Sequence, residues 1–240
     1  MAKRKITFEN GEFYHVYNRG VDKRNIINRR LDILRILESL DVFNTTESIG
    51  SIYENSFGKE RSNQLGSDAS KLVEIVAFNI LDNHYHLVLK QLSERGISKF
   101  MHSFGTGYAK YFNEKNDRSG VLFQGPFKAE HINSEAYLRY VIDYANLNHF
   151  IHGLEKLDIS KSDWGERSSL EQYINNKSEW KNKHFECDVS FIRDECKNLK
   201  GYKKGLLGMA KMFKEKKKEK KEKKDLKFIT EKPGFSVGEI

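Results

Sequence analysis

Along "FYHVYNR" (13–19) the side chains alternate, with Phe13, His15 and Tyr17 on one side and Tyr14 and Val16 on the other. That period of two predicts a β-strand. In "NRRLDILRILESLDVF" (28–43) the period lengthens: Leu34, Leu37, Leu40 and Val42/Phe43 recur at helical spacing, with Asn28 as the expected N-cap. "KLVEIVAFNI" (71–80) and "HYHLVLK" (84–90) predict two further strands, joined by a tight turn at Asp82-Asn83. "ISKFMHSFGTGYAKYFN" (97–113) carries Ile97, Phe100/Met101, Phe104, Tyr108 and Tyr111/Phe112 along one helical stripe. "GVLFQGPFKAEHI" (120–132) predicts a strand interrupted at Gly125-Pro126, and "SEAYLRYVIDYANLNHFI" (134–151) a helix capped by Ser134. The order β-α-β-β-α-β followed by a helix predicts an α+β fold, a ferredoxin-like antiparallel sheet with helices packed on it.

The remainder of the chain is patterned differently. Residues 44–70 are polar and rich in Gly, Ser and Asn, which predicts a mobile insertion inside a domain spanning 1–155. Residues 156–210 predict an extension of short helices, with Trp164 pinning a polar segment, and 211–240 a lysine-rich flexible tail. The net charge is +8, of which the run "KMFKEKKKEKKEKK" (211–224) holds +6. Such a run is either a solvated face or an arm for a polyanion. No apolar stretch approaches a membrane span or a signal peptide, so a cytoplasmic protein with no membrane partner is expected. Cys187 and Cys196 match no zinc or redox spacing and are expected to be reduced thiols.

Residues with chemistry stand out against this frame. On a strand, His84 and His86 share a face with Val88, while Tyr85, Leu87 and Leu89 point the other way, toward the helix-packed core. Two adjacent neutral imidazoles can bind one divalent ion, although a lone pair of this kind also arises by chance. Tyr144 and Asn148, four residues apart, share a helical face. A tyrosine stripe at this spacing usually means packing, but Asn148 is unusual on a core face, and its carbonyl oxygen suits a hard cation such as Mg²⁺.

Five segments occur in an order that resembles the HUH-class single-tyrosine transposases, particularly the REP-associated tyrosine transposases. They are "FYHVYNRGVDKRNIIN", "FNILDNHYHLVLK", "ISKFMHSFGTGYAKYFNEKNDRSGVLFQGPFKAEHI", "YLRYVIDYANLNHFIHG" and "DWGERSSLEQY", spread over residues 8 to 173. The resemblance implies that His84 and His86 ligate the metal, that Tyr144 is the nucleophile on a catalytic C-terminal helix, and that Asn148 is a third ligand or a polar neighbour of the ion. It implies cleavage of single-stranded DNA beside a hairpin with Mg²⁺ or Mn²⁺, leaving a 5′-phosphotyrosine and a free 3′-OH. Here Asn148 is followed by His149 where that family commonly has proline, and Pro126 stands where it commonly has arginine.

Arg19, Lys23, Arg24, Gln124 and Lys128 are candidate DNA contacts, with solvated surface as the alternative for the basic residues after the first strand. Phe123 and Phe127 fit the core better than base stacking. His15 could line the site or pack against a neighbouring strand. The expected function is a metal-dependent single-strand endonuclease and strand-transferase acting on hairpin-forming DNA. The alternative is a hairpin-binding protein that no longer cuts. A homodimer and a monomer are both compatible with the sequence.

Overall fold

The computed structural model describes residues 6–47, 71–148, 167–174, 187 and 199–230. The elements are β1 (Phe13–Arg19), α1 (Arg30–Val42), β2 (Val73–Ile80), β3 (His84–Gln91), α2 (Gly96–Lys115), β4 (Lys128–Ile132), α3 (Glu135–Asn146), α4 (Leu170–Ile174) and α5 (Leu199–Thr230). Most of the expected insertion, Trp164, Cys196 and the terminal residues 231–240 lie outside the described residues.

β1 to β4 form one antiparallel sheet in the order β2-β3-β1-β4. This is the expected ferredoxin-like arrangement. The alternation of β1 and β3 explains how the sheet is used. Tyr14, Val16, Tyr85, Leu87 and Leu89 point to one face and join Ile33, Ile36, Leu37 and Leu40 of α1 with Ile97, Phe100, Phe104 and Tyr108 of α2. Each such side chain removed from water stabilises the fold by about 1.5–3 kcal/mol before chain entropy is counted. The second face is covered by α3, whose Leu138, Val141, Ile142 and Ala145 meet Val76, Ala77, Val88 and Ile132. Val76 and Ala77 reach the same face because the β2–β3 register shifts between Ile75 and Ala77, as an inserted residue in a ladder requires.

Helix ends follow from single side chains. Ser134 caps α3 as expected, its hydroxyl accepting from the Tyr137 amide at 3.3 Å. The cap of α1 is Arg29 and not Asn28. The groups satisfied there are the Asn28 and Arg29 amides, both donating to Asp32 Oδ2 at 2.9 Å, so the acid three residues inside supplies the acceptor.

The ribbon before β4 is interrupted where expected. Leu122 O accepts from Val21 N, Gln124 N donates to Arg19 O, and Gly125 then turns away at φ +79°. Past α3, residues 167–169 dock beside β2, with Ile80 N bonded to Arg167 O and Ser169 N to Phe78 O.

The expected boundary at 210/211 is not a structural one. α5 runs unbroken through it, so the lysine run up to Thr230 is helical rather than a separate flexible tail. The reason is an apolar stripe at Leu206, Ala210 and Phe213, which packs on Leu147, Leu170, Tyr140 and Tyr144. Lys214, Lys216, Lys217, Lys218 and Lys220 remain exposed on the same helix. Among the described residues no helix is long and apolar enough to cross a membrane.

Candidate nuclease site

The α3-covered face of the sheet carries a polar end. On β3, His84 and His86 project there beside each other, ring centroids 5.1 Å apart. Cross-strand register brings Arg19 opposite His84 and Tyr17 opposite His86 on β1, and Asn79 opposite His86 on β2. On β4, Lys128 stands opposite Tyr17 and Glu130 opposite His15. Because directly opposed residues share a face, His15, Tyr17, Arg19, Asn79, Lys128 and Glu130 all belong to the surface that holds the histidine pair.

α3 brings Tyr144 onto the same surface. Its ring meets His86 edge-on at 5.8 Å and His15 at 6.2 Å, while its other side rests against Phe213 of α5 at 5.3 Å. Burial raises the Tyr144 pKa, the nearby Asn148 amide opposes that rise, and the surrounding Tyr140 and Glu130 add to it. Asn148 lies two residues past the end of α3 and is fully buried. Its side-chain amide lies within reach of the Tyr144 hydroxyl.

Each histidine has a hydrogen-bonding neighbour at Nδ1. Asn83 Oδ1 lies 2.6 Å from His84 Nδ1, and because an amide oxygen only accepts, that nitrogen donates. His86 Nδ1 is 2.9 Å from His15 Nε2, and both rings are buried. Burial lowers the His15 pKa to about 4, against the pull of Glu130. Glu130 itself accepts the Tyr17 hydroxyl at 2.9 Å. Tyr17 is driven up to about 12, first by burial and then by that carboxylate.

The residues fit a divalent cation. Two adjacent imidazoles near a buried amide oxygen form a donor set that suits a hard or borderline ion.

Of the candidate DNA contacts, the fold brings Arg19, Gln124 and Lys128 toward the site. Arg19 Nε donates to Gln124 Oε1 across the strand and the ribbon, and all three side chains are exposed. Lys23 and Arg24 lie beyond the end of β1, in a turn where Asp22 and Lys23 both adopt positive φ, and Arg24 pairs with Asp22 at 3.6 Å. Phe123 and Phe127 pack against the main core, as expected.

The family model described as "Transposase IS200 like" matches residues 61–148. The match is to a transposase family. It spans both histidines, Tyr144 and Asn148, and it bears out the resemblance read from the sequence. No curated protein matches the chain. Two of the solved structures with a distant likeness to this chain illustrate it. One is the REP-associated tyrosine transposase bound to a REP hairpin, 16% identical, with a TM-score of 0.41 and coverage of 72% of this chain and 86% of that one. The other is a transposase candidate from Deinococcus radiodurans R1, 12% identical, with a TM-score of 0.32 and coverage of 59% and 93%.

Tyr17, Asn79 and Glu130 are site neighbours that sequence reading does not single out, and His15, for which it leaves both lining the site and strand packing open, lies beside His86. Asn79 is fully buried. It donates from Nδ2 to Asn146 O at 3.3 Å and leaves Oδ1 without a partner among the described residues. Asn146 Oδ1 in turn accepts from Ser169 at 2.6 Å and Ser168 at 3.2 Å.

α5 also touches the residue before the tyrosine. Tyr202 donates to Asp143 Oδ1 at 3.1 Å. Burial nevertheless pushes the Asp143 carboxyl up to about 6, against Tyr202 and Arg139. Between about pH 4 and 6 the unfolded chain has released this proton and the native state still holds it. The stability difference therefore turns against the native state as pH rises through that window and is constant above it. Asp143→Asn keeps an acceptor for Tyr202. It is expected to stabilise the protein by about 2 kcal/mol at pH 8, with the gain vanishing near pH 4, as read by thermal melts at the two pH values.

Proposed function

We propose that the protein is a metal-dependent endonuclease and strand-transferase of single-stranded DNA, working beside a hairpin through a tyrosyl–phosphate intermediate. The observation that carries this reading is the meeting of Tyr144 with the histidine pair on one sheet face, 5.8 Å from ring to ring at His86. The transposase-family match across the same residues supports it, and the hairpin follows from the sequence resemblance.

In this reading His84 and His86 hold Mg²⁺ or Mn²⁺, with Asn148 Oδ1 as a third donor. When bound, the ion supplies Lewis-acid stabilisation of charge on the non-bridging phosphate oxygens. Tyr144 Oη gives up its proton and attacks phosphorus in line. The new O–P bond forms as the P–O3′ bond breaks, and the leaving oxygen takes a proton to become a free 3′-OH. The bond energy is kept in the 5′-phosphotyrosine, so the reverse attack by a 3′-OH rejoins DNA. Arg19, Gln124 and Lys128 line the approach to His84 and His86 and hold the backbone. Residues 1–155 form the catalytic unit, and the exposed lysines of α5 add salt-dependent affinity.

The test is incubation of the full chain with labelled single-stranded hairpin oligonucleotides and Mg²⁺, followed by denaturing electrophoresis. A covalent adduct supports the reading. Binding with no adduct on any flanked hairpin replaces it with the non-cleaving hairpin binder. His84→Ala is expected to lower adduct formation by about 10²-fold or more while leaving hairpin affinity within about threefold, because its ring serves the chemical step and the strand is held elsewhere.

A further inference from the structure

The contact between His15 and His86 constrains both rings. Nε2 of the first and Nδ1 of the second are 2.9 Å apart, with ring planes 18° from parallel. Each ring is at least nine-tenths buried, at 7% and 8% exposure. A neutral imidazole has one proton on two nitrogens, so one ring donates and the other accepts. If His15 donates, His86 accepts at Nδ1 and carries its own proton on Nε2, which closes that nitrogen to a cation. If His86 donates, its lone pair lies on Nε2 and His15 holds its proton on Nδ1.

We propose that His15 is a positioning residue that accepts the His86 Nδ1–H bond and so holds His86 in the tautomer whose Nε2 can ligate a divalent cation. The inference rests on the reading of His84 and His86 as the ligand pair. Its second support is the parallel at His84, where Asn83 Oδ1 accepts the Nδ1–H bond of the other ligand at 2.6 Å. Both histidines then present the same nitrogen, each fixed by an acceptor behind it, which is how ligating imidazoles are generally oriented.

The surroundings limit alternatives to this pairing. His15 lies on β1, an inner strand of the sheet, so its backbone is held by β3 on one side and β4 on the other. Tyr17 packs against both imidazoles, with centroids 5.1 Å from His15 and 5.8 Å from His86, and its hydroxyl is tied to Glu130. Ring rotation at either histidine would have to displace that tyrosine.

A residue that merely fills space at position 15 should be replaceable by another ring. A positioning acceptor should not. His15→Phe keeps an aromatic ring and removes the acceptor, whereas His15→Gln restores an amide oxygen near the place of Nε2. Long-range ¹H–¹⁵N correlation spectra of the metal-free full chain read the His86 tautomer, and Mn²⁺ titration followed by electron paramagnetic resonance reads affinity. The expected result is Nδ1–H at His86 in the wild type, its loss in His15→Phe with Mn²⁺ affinity down about 10- to 100-fold, and recovery of both in His15→Gln.

Nε2–H at His86 in the wild type overturns the inference, as does an unchanged tautomer and affinity in His15→Phe. His86→Ala separates the two layers. If the wild type binds Mn²⁺ no better than His86→Ala, the ligand pair itself is wrong, and the wild-type tautomer alone still decides the role of His15. Thermal melts identify a variant that has failed to fold, and the wild-type spectrum needs no variant.

Discussion

Tyr144→Phe is expected to abolish the covalent DNA adduct while leaving hairpin binding close to wild type. The substitution removes only Oη. The ring keeps its edge contacts with His86 and His15 and its packing on Phe213, so the helix and the two histidines are expected to stay in place. Loss of the nucleophile from such a site typically lowers turnover on the order of 10⁴-fold or more, which puts the adduct below detection in a gel assay. Tyr137 and Tyr140 are the internal controls. They stack on each other at 6.2 Å on the same helix, and Tyr140 leans on Phe213 under the Lys216 ammonium. Phenylalanine at either position is expected to leave the adduct intact. Persistence of the adduct in Tyr144→Phe would transfer the role to one of them.

The largest stability effect is expected at Asp32. Its side chain is fully buried and holds four donors: the Asn28 and Arg29 amides on Oδ2, and Lys115 Nζ at 2.6 Å with the Tyr111 hydroxyl at 3.1 Å on Oδ1. Burial alone would push this carboxyl up, but Lys115 and the two amides outweigh it and hold the acid below its ordinary value. Asp32→Ala removes the start of α1 and strands the Lys115 ammonium at the α1–α2 contact. Removing one partner of such a pair costs about 3–5 kcal/mol. The lower end applies here, since the Lys115 side chain is 23% exposed and can reach water. Urea denaturation near neutral pH is the measurement. Because the native pKa is depressed, the contribution of Asp32 is present above the ordinary carboxylate range and fades as pH falls through it, so the gap between the proteins narrows in acid.

Much of this was readable in advance because strands enforce a period of two. Once "HYHLVLK" is a strand, Tyr85 must oppose His84 and His86, and it lies in the core at 2% exposure. The Ser134 cap and the stripe from Ile97 to Phe112 follow equally from local chemistry. Register is different. Nothing within "FYHVYNR" says which β3 residue stands opposite which β1 residue, so the bonding of His15 to His86 and the nearness of Arg19 to His84 appear only when the strands are paired. The stripe Leu206–Ala210–Phe213 was hidden by its neighbours. A lysine-dominated composition predicts solvation, whereas three apolar residues on one face are enough to dock a helix against Tyr140 and Tyr144. At α1 the cap was misplaced for a similar reason: Asn28 has the right side chain, but Asp32 reaches the same amides from inside the helix.

The central claim is that Tyr144 becomes joined to DNA on the face that carries His84 and His86. Its most direct test is to trap the reaction with a hairpin oligonucleotide and Mg²⁺, digest the DNA with nuclease and the protein with protease, and locate the residual nucleotide by tandem mass spectrometry. The account expects the phosphodiester-derived mass on the tyrosine at 144. A modification at Tyr137, Tyr140 or any other residue, or no modified peptide from a reaction that has cleaved its substrate, would contradict it.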